Sequence, residues 1–120
     1  MVHLITGPKG SGKTQQMIEL ANEKVKTAEG NVVLIKKSHR DTLEELIGFL
    51  YGMVAGNHDI DTIFIDGVLK QADITLDNLP DFMQQLAKIS KDNNIEFYIS
   101  VSAEKEKIPG IDNPDYHVLY

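Results

Sequence analysis

The sequence predicts an α/β fold with three layers, in which a mostly parallel sheet of four to five strands is flanked by helices. Short apolar segments alternate with longer segments whose apolar residues recur every three or four positions, and this alternation favours a parallel sheet covered by helices. The length of 120 residues is typical of one domain. The composition, 42% hydrophobic and 25% charged, is that of an ordinary globular protein. We therefore expect a single domain over residues 1–120.

The first half of the chain predicts a strand, a helix and a second strand. The apolar residues 2–6 form a strand that ends at Gly7-Pro8. A helix is expected over residues 13–29, with Gly30 as its left-handed C-terminal cap. Four consecutive apolar residues within 31–36 are typical of a strand covered on both faces. The residues that predict the helix are Met17, Ile18, Ala21, Val25 and Ala28.

The second half predicts two more helices and two or three strands. Thr42 and Glu45 have capping-box spacing, and the helix that they begin should end near Gly56. Residues 62–67 and 95–102 are predicted strands, and a third helix between them begins at Pro80. Residues 117–120 can form a short edge strand. The apolar face of the second helix consists of Leu43, Leu46, Ile47, Leu50, Tyr51 and Val54.

The strongest motif is the glycine-rich loop, residues 7–14, which satisfies G-x-x-x-x-G-K-[ST] between a predicted strand and a predicted helix. Glycines let backbone N–H groups surround a phosphate, and the helix N-terminus adds about half a positive charge. We expect Lys13 to neutralise β- and γ-phosphate oxygens and the Thr14 hydroxyl to bind Mg²⁺. The predicted nucleotide-binding residues are Gly7, Pro8, Lys9, Gly10, Ser11, Gly12, Lys13 and Thr14.

Asp66 is the second candidate for magnesium chemistry. It follows the apolar strand residues 62–65, which would carry its carboxylate to the edge of the sheet where the glycine-rich loop lies. A carboxylate placed there is a magnesium ligand, directly or through water. An ordinary Asp-Gly turn is the alternative interpretation.

These two motifs resemble the P-loop NTPases whose sheet has an additional strand between the loop strand and the aspartate strand. Over its full length the chain is most similar to small bacterial ATP-binding proteins, some labelled as twitching-motility ATPases. Gly7-Pro8 and residues 11–14 also resemble type II thymidine kinases, although the chain has no cysteine for their zinc ribbon and has Gly67 where they have an acid. The resemblance implies ATP as ligand or substrate and Mg²⁺ as cofactor.

Residues that would complete hydrolysis are less evident. A glutamate beside the magnesium aspartate would orient the attacking water, and Gly67 stands there instead. Ser102 is a candidate γ-phosphate sensor if its strand lies between the first and third strands. Glu104 is a candidate base in the same region, and Asp41 is a further one. The predicted catalytic residues are therefore Lys13, Asp66, Ser102 and Glu104.

Two further features bear on partners. Lys36, Lys37, His39 and Arg40 form a basic cluster after the second strand, where a second phosphate, a protein partner or solvent would lie. On the second helix, glycines at positions 48, 52 and 56 form a stripe that permits close approach of another backbone. The domain's own sheet or a second copy of the chain would supply that backbone.

Composition excludes several classes of protein. The net charge of −6 disfavours nucleic acid and anionic membranes as partners, and the absence of cysteine excludes disulfides and zinc ribbons. No secretion signal or membrane-spanning segment is evident, so a cytoplasmic location is expected. No guanine-reading motif is present, which favours ATP. The sequence thus predicts a magnesium-dependent ATP-binding protein with slow or partner-stimulated hydrolysis; a non-catalytic adaptor and a small nucleoside kinase are the alternatives.

Overall fold

The computed structural model describes residues 1–36, 42–71 and 73–120. Strands and helices alternate along this part of the chain, and two 3-10 turns, Val68–Lys70 and Lys105–Lys107, follow β3 and β4. The elements are β1 (Val2–Thr6), α1 (Lys13–Thr27), β2 (Asn31–Ile35), α2 (Leu43–Gly56), β3 (Ile60–Ile65), α3 (Leu79–Asn93), β4 (Glu96–Val101) and β5 (Tyr116–Val118).

The strands form one sheet in the order β2-β3-β4-β1-β5, and every pair of neighbours is parallel. The predicted α/β class is therefore confirmed, with five strands and a fully parallel sheet. β4 lies between β1 and β3, in the position of the additional strand that the sequence led us to expect. Because all strands run in one direction, the loops that follow them meet at the carboxyl edge of the sheet.

The apolar side chains pack on both faces of the sheet, which gives the three layers. On one face Met17 and Ala21 of α1 pack with Ile5 and Phe64. On the other face α2 and α3 cover the larger core, in which Phe82 is fully buried. Full burial of a side chain of this size stabilises the fold by about 1.5–3 kcal/mol. Many such side chains together hold the helices against the sheet.

The end of α1 differs from the prediction. The helix ends at Thr27, and Ala28 is extended with φ −69° and ψ 140°. Gly30 is not left-handed. It is instead required by a close approach, because a Cβ built there would lie 2.2 Å from the Asp59 carbonyl oxygen. Val25, one of the apolar residues whose spacing predicted the helix, is 64% exposed.

α2 begins as predicted but presents an unexpected face. The Thr42 side chain accepts a hydrogen bond from the Glu45 backbone N–H at 3.1 Å, as the capping-box spacing predicts. Tyr51, predicted to lie on the apolar face of this helix, is 42% exposed. A Cβ built at the glycine at 48, 52 or 56 would meet no described atom within 4 Å outside the adjacent backbone of its own helix. The glycine stripe therefore does not pack on the domain's own sheet.

The last residues of the chain run alongside β1. β5 pairs with it over Tyr116–Val118, slightly earlier than predicted. Beyond β5, the Leu119 N–H donates to the Leu4 carbonyl at 2.8 Å and the Thr6 N–H donates to the Tyr120 carbonyl at 3.0 Å. These bonds extend the edge of the sheet to the start of the glycine-rich loop. Among the helices of the described residues, none has the length and apolar character needed to cross a membrane.

Candidate functional site

The glycine-rich loop connects β1 to α1 in a conformation that depends on glycine. Gly10 and Gly12 have φ of 84° and 86°, left-handed values that residues with a side chain rarely adopt. Gly12 is also the N-cap of α1. Among the described residues, no group accepts a hydrogen bond from the backbone N–H of Gly10, Gly12 or Lys13. The loop therefore offers donors at the positive end of a helix, which is a favourable place for an anion.

Lys13 lies inside this loop. Its side chain is largely buried, and its Nζ donates hydrogen bonds to the Pro8 carbonyl at 2.7 Å and to Ser11 Oγ at 3.4 Å. Burial lowers the pKa of Lys13, and the positive charge of Lys70 lowers it further, while Asp66 opposes both effects. The loop thus holds a cation whose charged form would be stabilised by an additional anion.

Asp66 and Thr14 are brought together although 52 positions separate them in the chain. Thr14 Oγ1 donates to Asp66 Oδ2 at 3.0 Å. The other carboxylate oxygen, Oδ1, accepts a hydrogen bond from Ser100 Oγ at 2.7 Å, and Ser100 Oγ itself accepts from the Gly67 N–H at 2.6 Å. β4, which carries Ser100, therefore orients the carboxylate that follows β3.

The Thr14 and Asp66 oxygens fit a magnesium site. Adjacent ligands in a Mg²⁺ octahedron lie about 2.9 Å apart, because the metal–oxygen distance is about 2.0–2.1 Å, and the observed separation is 3.0 Å. Mg²⁺ prefers one or two protein oxygens and takes its remaining ligands from water and phosphate. The described residues contain no group of three or more histidines and acids suited to a metal. The pair therefore fits two of the ligand positions of a Mg²⁺ ion.

These residues line one cavity of about 630 Å³ at the carboxyl edge of the sheet. This volume is in the usual range for small-molecule sites. Predicted site residues that line it are Lys9, Gly10, Gly12, Lys13, Thr14, Asp66 and Ser102. The other predicted loop residues do not line the cavity but form hydrogen bonds that hold the loop. The Gly7 N–H donates to the Ala103 carbonyl, and the Pro8 carbonyl and Ser11 Oγ accept hydrogen bonds from Lys13 Nζ.

Glu104 is not brought into the cavity. It is exposed, it precedes the 3-10 turn Lys105–Lys107, and it does not line the cavity. Lys36, the first member of the predicted basic cluster, does line it. The rest of that cluster, Lys37, His39 and Arg40, and the candidate base Asp41 lie outside the described residues.

The residue after Asp66 is glycine, and its backbone conformation does not suit a glutamate. Gly67 has φ 65° and ψ 56°, a left-handed conformation at the start of the 3-10 turn Val68–Lys70. A glutamate would be strained there. The backbone at this position is therefore adapted to glycine.

Sequence reasoning missed three residues of the cavity, Ser100, Lys70 and Gln71. Ser100 is a small polar residue between the apolar residues Ile99 and Val101 of β4, and this signal could have identified it. Lys70 and Gln71 lie on and just after a 3-10 turn, which leaves no periodic pattern in the sequence. Gln71 is only 2% exposed. Its Nε2 donates to the carbonyls of Asp66 at 3.0 Å and Lys36 at 3.4 Å, whereas its Oε1 has no hydrogen-bond partner within the described residues.

No protein-family model matches the chain, and no curated protein matches it significantly.

Proposed function

We propose that this chain is a magnesium-dependent ATP-binding P-loop protein with slow or partner-stimulated hydrolysis. The observation that carries the proposal is the contact between Thr14 and Asp66, because it places a hydroxyl and a carboxylate at magnesium-ligand spacing beside the buried Lys13. A hydroxyl, a carboxylate and a lysine at the N-terminus of a helix are the groups that hold Mg²⁺ and the phosphates in P-loop proteins.

Each group has a defined part in binding. The free N–H groups of the glycine-rich loop would donate to the β-phosphate, and Lys13 would exchange its bond to the Pro8 carbonyl for phosphate oxygens. Thr14 and Asp66 would hold the cation, which supplies charge neutralisation at the β- and γ-phosphates. Ser102, at the end of the strand between β1 and β3, lines the cavity where a γ-phosphate sensor would act.

Slow hydrolysis follows from the groups around the attacking water. In the described part of the chain, Asp66 is the only carboxylate that lines the cavity, and its two oxygens are bound to Thr14 and Ser100. Without a base the water is poorly oriented, and orientation contributes much of the barrier lowering in such enzymes. The same feature supports the alternative of a non-catalytic nucleotide-binding adaptor. We place either protein in the cytoplasm, where ATP is available.

A thermal-shift titration with ATP, with and without Mg²⁺, tests the proposal. Ligand at one hundred times its dissociation constant stabilises a fold by about 2.7 kcal/mol, which raises the melting temperature measurably. We expect this stabilisation to disappear in Lys13→Ala, and we expect Thr14→Ala to lose mainly its magnesium dependence. Lys24→Ala, near the far end of α1, is the matched control. ATP binding that is unchanged in Lys13→Ala would contradict the proposal.

A further inference from the structure

The cavity extends well beyond the glycine-rich loop. The sheet order β2-β3-β4-β1-β5 places the loop after β1 at one side of the cavity and the ends of β3 and β2 at the other. If ATP binds as proposed above, Thr14 and Asp66 would hold the cation and so neutralise charge on the phosphates. The γ-phosphate would then lie on the side of the cavity that the ends of β3 and β2 form. We call the residues that line this side, Lys36, Gly67, Lys70 and Gln71, the far wall.

The far wall carries two positive charges that the proposed ATP site does not use. Lys36 and Lys70 are both exposed to the cavity, and neither forms an ion pair with a carboxylate among the described residues. The Lys70 side chain passes over Gly67, with its Cδ 3.8 Å from the place where a Cβ of that glycine would be. Two cations on one wall repel one another unless an anion offsets their charge. Asp66, the carboxylate of this cavity, is already bound to Thr14 and Ser100.

Gln71 is a buried residue of the same wall. Both groups next to its Nε2 are carbonyls, those of Asp66 and Lys36, so the orientation of the amide is fixed. Among the described residues, none donates a hydrogen bond to its buried Oε1, and such an unpaired group costs about 1–3 kcal/mol. An ordered water molecule would supply the missing donor, whereas an ionised phosphate only accepts hydrogen bonds, so the preference of this wall for an anion comes from Lys36 and Lys70.

We propose that the far wall is a second phosphate subsite, which holds the phosphate group of a phosphoryl acceptor next to the γ-phosphate of ATP. This inference rests on the proposed ATP site and adds the class of the second substrate. Lys36 and Lys70 match the charge of a phosphate, which neither water nor a neutral hydroxyl acceptor would require.

The chemistry of such an acceptor also suits the cavity. A phosphate oxygen is already ionised at neutral pH, so no base has to remove a proton before it attacks. Its lone pair forms the new bond to the γ-phosphorus while the bond from that phosphorus to the β,γ-bridging oxygen breaks. The electron pair of the broken bond leaves with ADP, and no proton moves in the step. Lys36 and Lys70 would hold the attacking phosphate in line and reduce its repulsion from the γ-phosphate.

Adenosine 5′-tetraphosphate is a probe that needs no knowledge of the acceptor, because its fourth phosphate lies beyond the position of the γ-phosphate. We expect it to bind the magnesium-loaded wild-type protein at least fivefold more tightly than ATP, as measured by calorimetry. Lys36→Met and Lys70→Met should each reduce this preference to less than about twofold, while ATP affinity changes less.

Lys24→Met is the matched control for this experiment. It removes the same charge about 16 Å along α1 from Lys13, since each helical residue rises about 1.5 Å, and it should leave the preference for the tetraphosphate unchanged. A wild-type protein that binds ATP but shows no preference would overturn the second subsite and leave the proposed function intact. A preference that is equally reduced by Lys24→Met would overturn it too. A protein that binds neither compound would instead refute the proposed function.

An acceptor assay tests the transfer step and distinguishes the sources of the phosphate. ADP formation is measured with inorganic phosphate, with pyrophosphate and with a mixture of nucleoside monophosphates, each at millimolar concentration. We expect at least one to raise the rate tenfold over that with water alone, and we expect Lys70→Met to lose this stimulation. Stimulation by none of them, or equal stimulation in Lys70→Met, would overturn the role of the wall in binding an acceptor.

Discussion

Asp66 shows how one side chain in the cavity is positioned by others. Its carboxylate is held between two hydroxyl groups, one from α1 and one from β4, so that its direction is fixed before any cation binds. Ser100 does more than contact Asp66, because it also accepts the hydrogen bond of the Gly67 N–H. Groups that orient a metal ligand in this way commonly change metal affinity by about ten- to a hundredfold.

We therefore expect Ser100→Ala to impair magnesium-dependent binding. The Mg²⁺ concentration for half-maximal stabilisation by ATP should rise about tenfold, because Asp66 loses an orienting donor. The part-buried Gly67 N–H also loses its acceptor, which should lower the free energy of unfolding by about 1 kcal/mol. Magnesium titrations followed by thermal shift, and urea denaturation without nucleotide, measure the two effects. Thr27→Ala, which removes an exposed hydroxyl at the far end of α1, is the control; if it raised the Mg²⁺ requirement as much as Ser100→Ala, Ser100 would have no special role.

Glu104→Gln tests whether Glu104 acts as a general base in ATP hydrolysis. Glu104 is exposed and does not line the cavity, so we expect the slow basal hydrolysis of ATP to change by less than about threefold. The side chain forms no capping hydrogen bond to the turn that follows it, and the fold should be unaffected. The release of labelled phosphate from ATP is the measurement. A decrease of about a hundredfold, the size typical for loss of a general base, would show that Glu104 reaches the nucleotide.

Among the helices and their connections, Gly30 and Gly52 have opposite effects on stability. Gly30 joins α1 to β2 where the Asp59 carbonyl approaches too closely for any side chain. Gly52 lies in the middle of α2, and its environment leaves room for a Cβ. At position 30 glycine stabilises the native fold, whereas at the exposed position 52 it weakens the helix.

These environments predict effects of opposite sign. Gly30→Ala should lower the free energy of unfolding by about 1–3 kcal/mol, because the backbone has to move to accommodate the Cβ. Gly52→Ala should raise it by about 0.5–1 kcal/mol, since alanine favours the helix. Urea denaturation at two protein concentrations measures both. If the glycine stripe instead packed against a second copy of the chain, Gly52→Ala would be destabilising, and the stability of the wild type would increase with concentration.

The elements also show where sequence reasoning succeeds and where it fails. Strand and helix positions were predictable because apolar periodicity reflects burial directly, and Thr42 capped α2 as expected. The motif spacing of the loop and the position of Asp66 predicted most of the cavity for a different reason. Parallel strands end at one edge of the sheet, so the residues that follow them lie close together. Lys70 and Gln71 were not predictable, since a single 3-10 turn decides which way they point. The exposure of Tyr51 depends on where α3 packs, and periodicity alone does not contain that information.

At the scale of the whole molecule, the two edges of the sheet have different characters. The carboxyl edge carries the cavity with its lysines. At the amino edge a polar cluster joins β1, β4 and β5: His3 Nε2 lies 3.1 Å from Glu96 Oε1, and His3 Nδ1 lies 3.1 Å from His117 Nδ1. The His3 ring also stacks on Tyr98 at a centroid distance of 4.4 Å. The protonation state of His3 therefore affects contacts that join three strands of the sheet.

The amino-edge cluster predicts that acid destabilises the fold. Burial lowers the pKa of His3 below 6.5, and the nearby Glu96 opposes this only in part. As pH falls below 6.5 the unfolded chain binds a proton that the folded His3 resists, so the free energy of unfolding decreases, by at most about 1.4 kcal/mol per pH unit for one group. For Glu96, burial raises the pKa, but hydrogen bonds from the α-amino group and His3 outweigh it and hold the value below 4.5. Its contribution is therefore lost only at lower pH.

We expect the free energy of unfolding to decline steadily between about pH 7 and about pH 5.5, the range in which an ordinary histidine titrates. His3→Gln should flatten this decline, because glutamine does not titrate, and the exposed His58→Gln should leave it unchanged. Urea denaturation across this range, without nucleotide so that the cavity does not contribute, is the measurement. Stability that stays constant as the pH falls, or a decline that persists fully in His3→Gln, would mean that another group at the amino edge or elsewhere takes up the proton.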